Sequence, residues 1–146
     1  MVPVDGSDFS YLAAQRAFFM AITHGGMVTL LHVINYGQSS RGHLRPYMKT
    51  EHMDTLEQQG LDLLAKVKSD LESIQVVDKD ETVAIETMLA WGNPADVIVE
   101  KAREKEYNLI VMGSRGLGAI SGLLLGSVSD RVVKLAPCPV LIIRND

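Results

Sequence analysis

Two patterns of apolar positions alternate along the chain. Short β-rich runs, 2–4, 27–34, 83–90, 109–112 and 140–143, have the length and side chains of strands in a mostly covered sheet. Between them the spacing turns helical. Ser7 or Asp8 can cap a helix reaching about Thr23, with Phe9, Leu12, Ala13, Ala17 and Met20 on its broad apolar face and His24-Gly25-Gly26 as its stop. From Thr50 to about Ser73, Met53, Leu56, Gly60, Leu63, Leu64, Val67 and Leu71 recur at steps of three and four and make one helical stripe. Gly60 lies on that stripe and costs helix propensity, which points to another element packed closely against it. Asn93 as cap and Pro94 at the first helical position open a third helix, with Val97, Ile98 and Ala102 inward, that ends near Lys105. A fourth runs from Ser127 to Ala136 and is broken by Pro137-Cys138-Pro139. Residues 35–49 hold Gly37, Gly42 and Pro46 without a period and read as a surface loop.

The order βαβαβαβαβ argues for an α/β fold, a parallel sheet with helices on both faces. Right-handed crossovers and one reversal of winding predict a single open, Rossmann-like sheet of five strands in the order 3-2-1-4-5. Strands one and four are then neighbours at the switch point, beyond which ligands of such sheets bind. Asp5 ends strand one and Gly113 ends strand four, so both are expected to face one crevice.

With 146 residues, 47% apolar and 22% charged, the chain suits one domain over residues 1–146, with no linker composition inside it. A net charge of −4 argues against a broad nucleic-acid surface. The single cysteine, Cys138, excludes an internal disulfide and fits a reducing cytoplasm. No apolar run approaches the roughly 20 residues of a membrane span, and the N-terminal residues do not read as a secretory signal. The expectation is a cytoplasmic protein without membrane or nucleic-acid partners. His24, His32, His43 and His52 fall on separate elements, so no metal site is expected. His32 reads as a hydrogen-bonded core residue, Cys138 as a packed small side chain, and Trp91 as packing at a strand end near the crevice.

The chemistry concentrates after strand four. Leu109-Ile110-Val111-Met112 runs into Gly113-Ser114-Arg115-Gly116, and Gly126-Ser127 later opens the fourth helix. Glycines let backbone N–H groups approach an anion closely, and a helix N-terminus adds unpaired donors and partial positive charge. The expectation is a phosphate cradle. Its members also have plainer readings. Ser127 with Asp130 is a capping-box spacing, so Ser127 either caps its helix or, with Ser129, donates to phosphate. Asp130 opposes a polyphosphate unless it points away. Asp5 either shapes an Asp-Gly-Ser turn or reads ribose or base, and Arg115 either neutralises phosphate or is simply solvated.

The pattern Gly113-x2-Gly116-x9-Gly126-Ser127 resembles the nucleotide-binding signature of ATP-binding universal stress proteins. The resemblance extends to Val2-Pro3-Val4-Asp5-Gly6-Ser7, Leu30-Leu31-His32-Val33, Gly92-Asn93-Pro94 and the ending 136–143. It implies an ATP-binding, often dimeric, stress-response module with no defined catalytic residues. By the same resemblance Pro3, Val4, Asp5 and Val33 hold the adenosine end. Met112, Gly113, Ser114, Arg115, Gly116, Gly126, Ser127, Val128 and Ser129 hold ribose and phosphates. The ligand would be ATP, or AMP or ADP, with Mg²⁺ as an open addition. Val140 to Ile143 would pair with a second subunit in a homodimer. Family members usually carry more residues before this stretch, so strand one is expected to be short here. Two other functions stay open: a slow ATPase or phosphotransferase, for which no Gly-x4-Gly-Lys-Ser/Thr loop is present, and a nucleotide-free interaction module.

Overall fold

The computed structural model of the chain describes residues 1–35, 50–74, 83–117 and 125–144. The expected surface loop lies, beyond Asn35, outside them. In chain order the elements are β1 (Val2–Pro3), α1 (Asp8–His24), β2 (Met27–Ile34), α2 (Thr50–Glu72), β3 (Ala84–Trp91), α3 (Pro94–Glu104), β4 (Ile110–Gly113), α4 (Ser127–Leu135) and β5 (Val140–Ile143). This is the expected alternation, displaced by a residue or so at several ends.

All strand pairs are parallel, but they form two sheets, β1-β2-β3 and β4-β5, not one sheet of five. The cause lies in β1. It is two residues long, and Pro3 has no N–H to extend a ladder. Two bonds from Met1 span the seam: its amino nitrogen donates to Leu109 O at 2.9 Å, and its carbonyl accepts from Val111 N–H at 3.0 Å. They keep β1 beside β4 without a continuous ladder.

Helices cover both faces. α1 and α2 enclose one core with Val2, Val28, Leu30, Leu64, Leu71 and Val111. α3 and α4 enclose the other with Leu31, Ile98, Ala102, Ile110, Met112 and Val132. Leu30 and Leu31, adjacent on β2, are both fully buried and serve opposite cores. Each such side chain contributes about 1.5–3 kcal/mol of transfer free energy.

Ser7 is the α1 cap, its Oγ accepting from Ser10 N–H at 3.2 Å. The buried face of α1 is Ser10, Ala13, Ala14, Ala17 and Phe18. Phe9, Leu12 and Met20 are only half-buried, while Ala13, Ala14 and Ala17 let the helix lie close to β4. The α2 stripe holds throughout, with Gly60, Leu64, Val67 and Leu71 buried and Met53, Leu56 and Leu63 half-buried. In α3, Asn93 Oδ1 accepts from the N–H groups of Ala95 and Asp96 at 3.1 and 3.4 Å, as its cap position required. No helix among the described residues is long and apolar enough to cross a membrane.

Gly60 explains its own cost. A β-carbon there would stand 2.6 Å from Leu89 Cδ1 and 2.9 Å from His32 Cδ2. Leu89 can shift, but His32 is held by a bond to Val4 O. Gly60→Ala is expected to destabilise by about 1–2 kcal/mol, overpacking outweighing the ~1 kcal/mol of helix propensity it gains. Urea denaturation should show a lower midpoint with unchanged slope; a raised midpoint would contradict the close packing.

Candidate functional site

The site is built where β1 and β4 end side by side. Val4 N–H donates to Leu31 O at 2.8 Å, and the chain then turns through Asp5, Gly6 and Ser7. Gly6 has φ +88°, a conformation that favours glycine. Asp5 Oδ1 accepts from Ser7 N–H at 3.0 Å and Ser7 Oγ–H at 2.6 Å. Asp5 Oδ2 reaches across the crevice and accepts from Leu117 N–H at 3.0 Å. Burial acts to raise the Asp5 pKa, but the Ser7, Leu117 and Ser10 hydrogen bonds together outweigh it, and the carboxyl sits below its ordinary range.

The glycine loop starts with two close approaches. A β-carbon at Gly113 would stand 2.7 Å from Phe9 Cβ and 2.9 Å from its carbonyl carbon, so the first turn of α1 rests directly on this residue. At Gly116 a β-carbon would strike the Asp5 carboxylate. Ser114 is buried and structural: its N–H donates to Ile143 O at 2.8 Å, and its carbonyl accepts from Gly126 N–H at 2.7 Å and Ser129 Oγ–H at 2.9 Å. The loop therefore closes on itself before α4 begins.

α4 has Gly126 as its N-cap, and no side chain caps it. Ser127 is the first helical residue, is exposed, and does not cap the helix. Asp130 does not reach back to form the box either; its Oδ2 accepts from Lys134 Nζ at 2.7 Å, one turn further along. An α-helix opened in this way presents unpaired N–H donors and partial positive charge at its first turn.

A cavity of about 660 Å³ lies over this helix start and the ends of β1, β2 and β4. That volume lies within the usual span of small-molecule sites. Every residue expected at the site lines it except Ser114, whose polar backbone groups are spent on the loop. Trp91 ends β3 opposite Ile34, itself a lining residue, but does not line the cavity. Sequence reasoning missed the wall from α2, Leu56, Gln59, Gly60 and Leu63, and the contributions of His32, Pro94 and Ile98. Gly60 on an apolar stripe and His32 inside a strand were the available signals. His32 is hydrogen-bonded as expected, with Nδ1 2.8 Å from Val4 O. Cys138 packs partly buried against the α3–α4 core, and burial raises its thiol pKa. No cluster of three or more His, Cys, Asp or Glu among the described residues could hold a metal ion.

The profile described as the Universal stress protein family matches residues 1–144. The chain belongs to the universal stress protein family. It is 33% identical over 150 residues to universal stress protein YxiE of Bacillus subtilis (strain 168), covering 99% of this chain and 97% of that one. Among solved structures it is similar to universal stress protein UspA from Lactobacillus plantarum, with a TM-score of 0.82, 27% identity, and coverage of 98% of this chain and 94% of that one. It is also similar to a universal stress protein solved in complex with cAMP, with a TM-score of 0.67, 26% identity, and coverage of 98% and 93%.

Asp5→Asn tests the carboxylate tie. At pH 7 the variant is expected to be about 1–3 kcal/mol less stable, because hydrogen bonds to a charged acceptor are lost or weakened. The folded pKa lies below the unfolded one, so the wild-type advantage is fully present above the ordinary carboxylate range. It is lost as pH falls through the lowered folded value. Denaturation midpoints of the two proteins should converge in acid; a gap independent of pH would refute the assignment.

Proposed function

We propose that this universal stress protein is a regulatory module that binds an adenine nucleotide, with the phosphates at the start of α4 and the nucleoside across the ends of β1 and β2. The observation that carries the reading is the cavity lying over an α-helix whose first turn has no side-chain cap. The residues fit the group. Ser127, Val128 and Ser129 supply donors at the helix start, and Arg115 lines the same cavity. Asp130, held by Lys134, leaves the phosphate end clear of its charge. The cAMP-bound relative supports an adenine nucleotide as ligand. Within that class we take ATP as the ligand, with AMP and ADP as competitors; Mg²⁺, where present, would be carried by the phosphates.

Binding rather than turnover is favoured by the lining. Asp5 is its one carboxylate among the described residues, and both of its oxygens already accept hydrogen bonds. A general base would have to come from Asp5 or His32, and each is already hydrogen-bonded within the protein. We further propose a cytoplasmic homodimer of single-domain subunits, joined through β5. That strand pairs with β4, and its Leu141 is 37% exposed, with Val133 and Leu135 of α4 exposed as well.

Saturating ATP, at about 100 times its Kd, should raise Tm by about 5–10 °C. An unchanged Tm with ATP, ADP and AMP would overturn the reading. Ser127→Asp gives a sharper test, because its two effects have opposite signs. A carboxylate at the first turn should stabilise α4 by about 0.3–1 kcal/mol, yet repel phosphate and weaken ATP binding at least about tenfold. Calorimetry showing undiminished affinity in this variant would place the phosphates elsewhere.

A further inference from the structure

Asp5 ends β1, yet its carboxylate engages the segment that follows β4. Oδ1 accepts twice from Ser7, and Oδ2 accepts from Leu117 N–H at 3.0 Å. The backbone of Gly116 lies against the same oxygen, where a β-carbon would strike it. On the other side of Arg115 the backbone of Ser114 is fixed as well: its N–H donates to Ile143 O and its carbonyl accepts from Gly126 N–H. Arg115 is therefore held from both sides. Its Cα lies 3.5 Å from where a β-carbon on Gly126, the cap of α4, would stand. Arg115, Gly116, Gly126 and Ser127 all line the cavity. Through Leu117, the Asp5 carboxylate thus sets the loop wall beside the open helix start.

Resting on the nucleotide reading above, we infer that Asp5 is a positioning residue for the phosphate end of the ligand. Its carboxylate holds the 115–117 backbone against the start of α4, and it serves the nucleotide through that loop, not by reading ribose or base. The family resemblance alone puts Asp5 on the adenosine. A sugar hydroxyl needs an acceptor turned toward it, whereas Leu117 N–H and the Gly116 backbone already meet Oδ2. A loop that is in place costs a phosphate less to bind than one that must be ordered on arrival. The negative charge of Asp5 is compatible with this role, because three N–H and O–H donors of the protein are directed at it.

The test measures ATP by calorimetry and adenosine by ligand-observed NMR on wild type, Asp5→Asn and Leu117→Pro. Asparagine keeps an acceptor for Ser7 but turns an amide NH2 toward the Leu117 N–H, a donor against a donor. Proline removes that N–H and leaves the carboxylate intact. Each variant should weaken ATP by about tenfold, because the loop must then be ordered on binding. Adenosine should change by less than about twofold in both. Losses for adenosine as large as those for ATP, or full ATP affinity in either variant, overturn the inference while leaving nucleotide binding intact. Failure of wild type to bind ATP overturns both. Should a variant not fold, or adenosine bind too weakly to measure, the wild-type Leu117 amide decides the matter. Its NMR temperature coefficient should report a hydrogen bond in the free protein and with ATP. Release of that amide on binding ATP would mean that the ligand takes the carboxylate, and defeats the assignment.

Discussion

Two turns far apart in sequence lock into one another, and the crevice exists because they do. The Asp5 carboxylate bonds its own turn at Ser7 and the glycine loop at Leu117. Behind it the first turn of α1 sits directly on Gly113, where even a methyl group would collide with Phe9. Burial of a carboxylate is costly, and here three donors offset that cost. These contacts hold the ends of β1 and β4 side by side. Without them the start of α4 would have no wall opposite it, and an open helix end would face bulk water instead of a cavity.

The same arrangement explains why the break between the two sheets is tolerated. β1 is too short and too poor in N–H groups to carry a ladder to β4. α1 compensates by packing across the seam, touching β1 and β2 on one side and β4 and β5 on the other. Its alanines make that possible, since Ala13 and Ala14 are fully buried and bring the helix backbone close to the strands. Continuity is thus supplied by a helix and two Met1 bonds where a β1–β4 ladder within one five-stranded sheet was expected. Topology at the switch point is retained even though hydrogen bonding across it is sparse.

Much of this was legible because the deciding interactions are local. Ser7 and Asn93 cap their helices through groups two or three residues away, and the α2 stripe follows from helical spacing alone. The misread features depend on partners distant in sequence. The buried face of α1 was expected to hold Phe9, Leu12 and Met20 beside Ala13 and Ala17; the two alanines are buried, but Ser10, Ala14 and Phe18 take the other places. Gly113 and Gly116, expected to let a ligand approach, line the cavity, but their lack of a side chain also makes room for Phe9 and Asp5, which local sequence could not show. Glycine in a binding loop can serve the protein's own packing while the ligand uses neighbouring groups. The α2 wall of the cavity was invisible for a related reason. Leu56 and Leu63 belong to an ordinary amphipathic stripe, and nothing in its periodicity tells core from pocket.

α4 shows how sequence and function diverge at one residue. Ser127 with Asp130 has the spacing of a self-sufficient cap, and a helix closed in that way would be more stable by about 1 kcal/mol. The chain instead starts the helix at Ser127, uses Gly126 as a cap without a side chain, and commits Asp130 to Lys134. Ser129, the hydroxyl one turn in, is spent on the carbonyls of Ser114 and Gly126, which fixes the loop but leaves the first N–H groups open. Among the described residues Asp130 is committed to Lys134 and Ser129 Oγ to the loop carbonyls, and neither caps that helix end. An anion with several acceptor oxygens is the natural complement of such an end, and the cavity places it within reach.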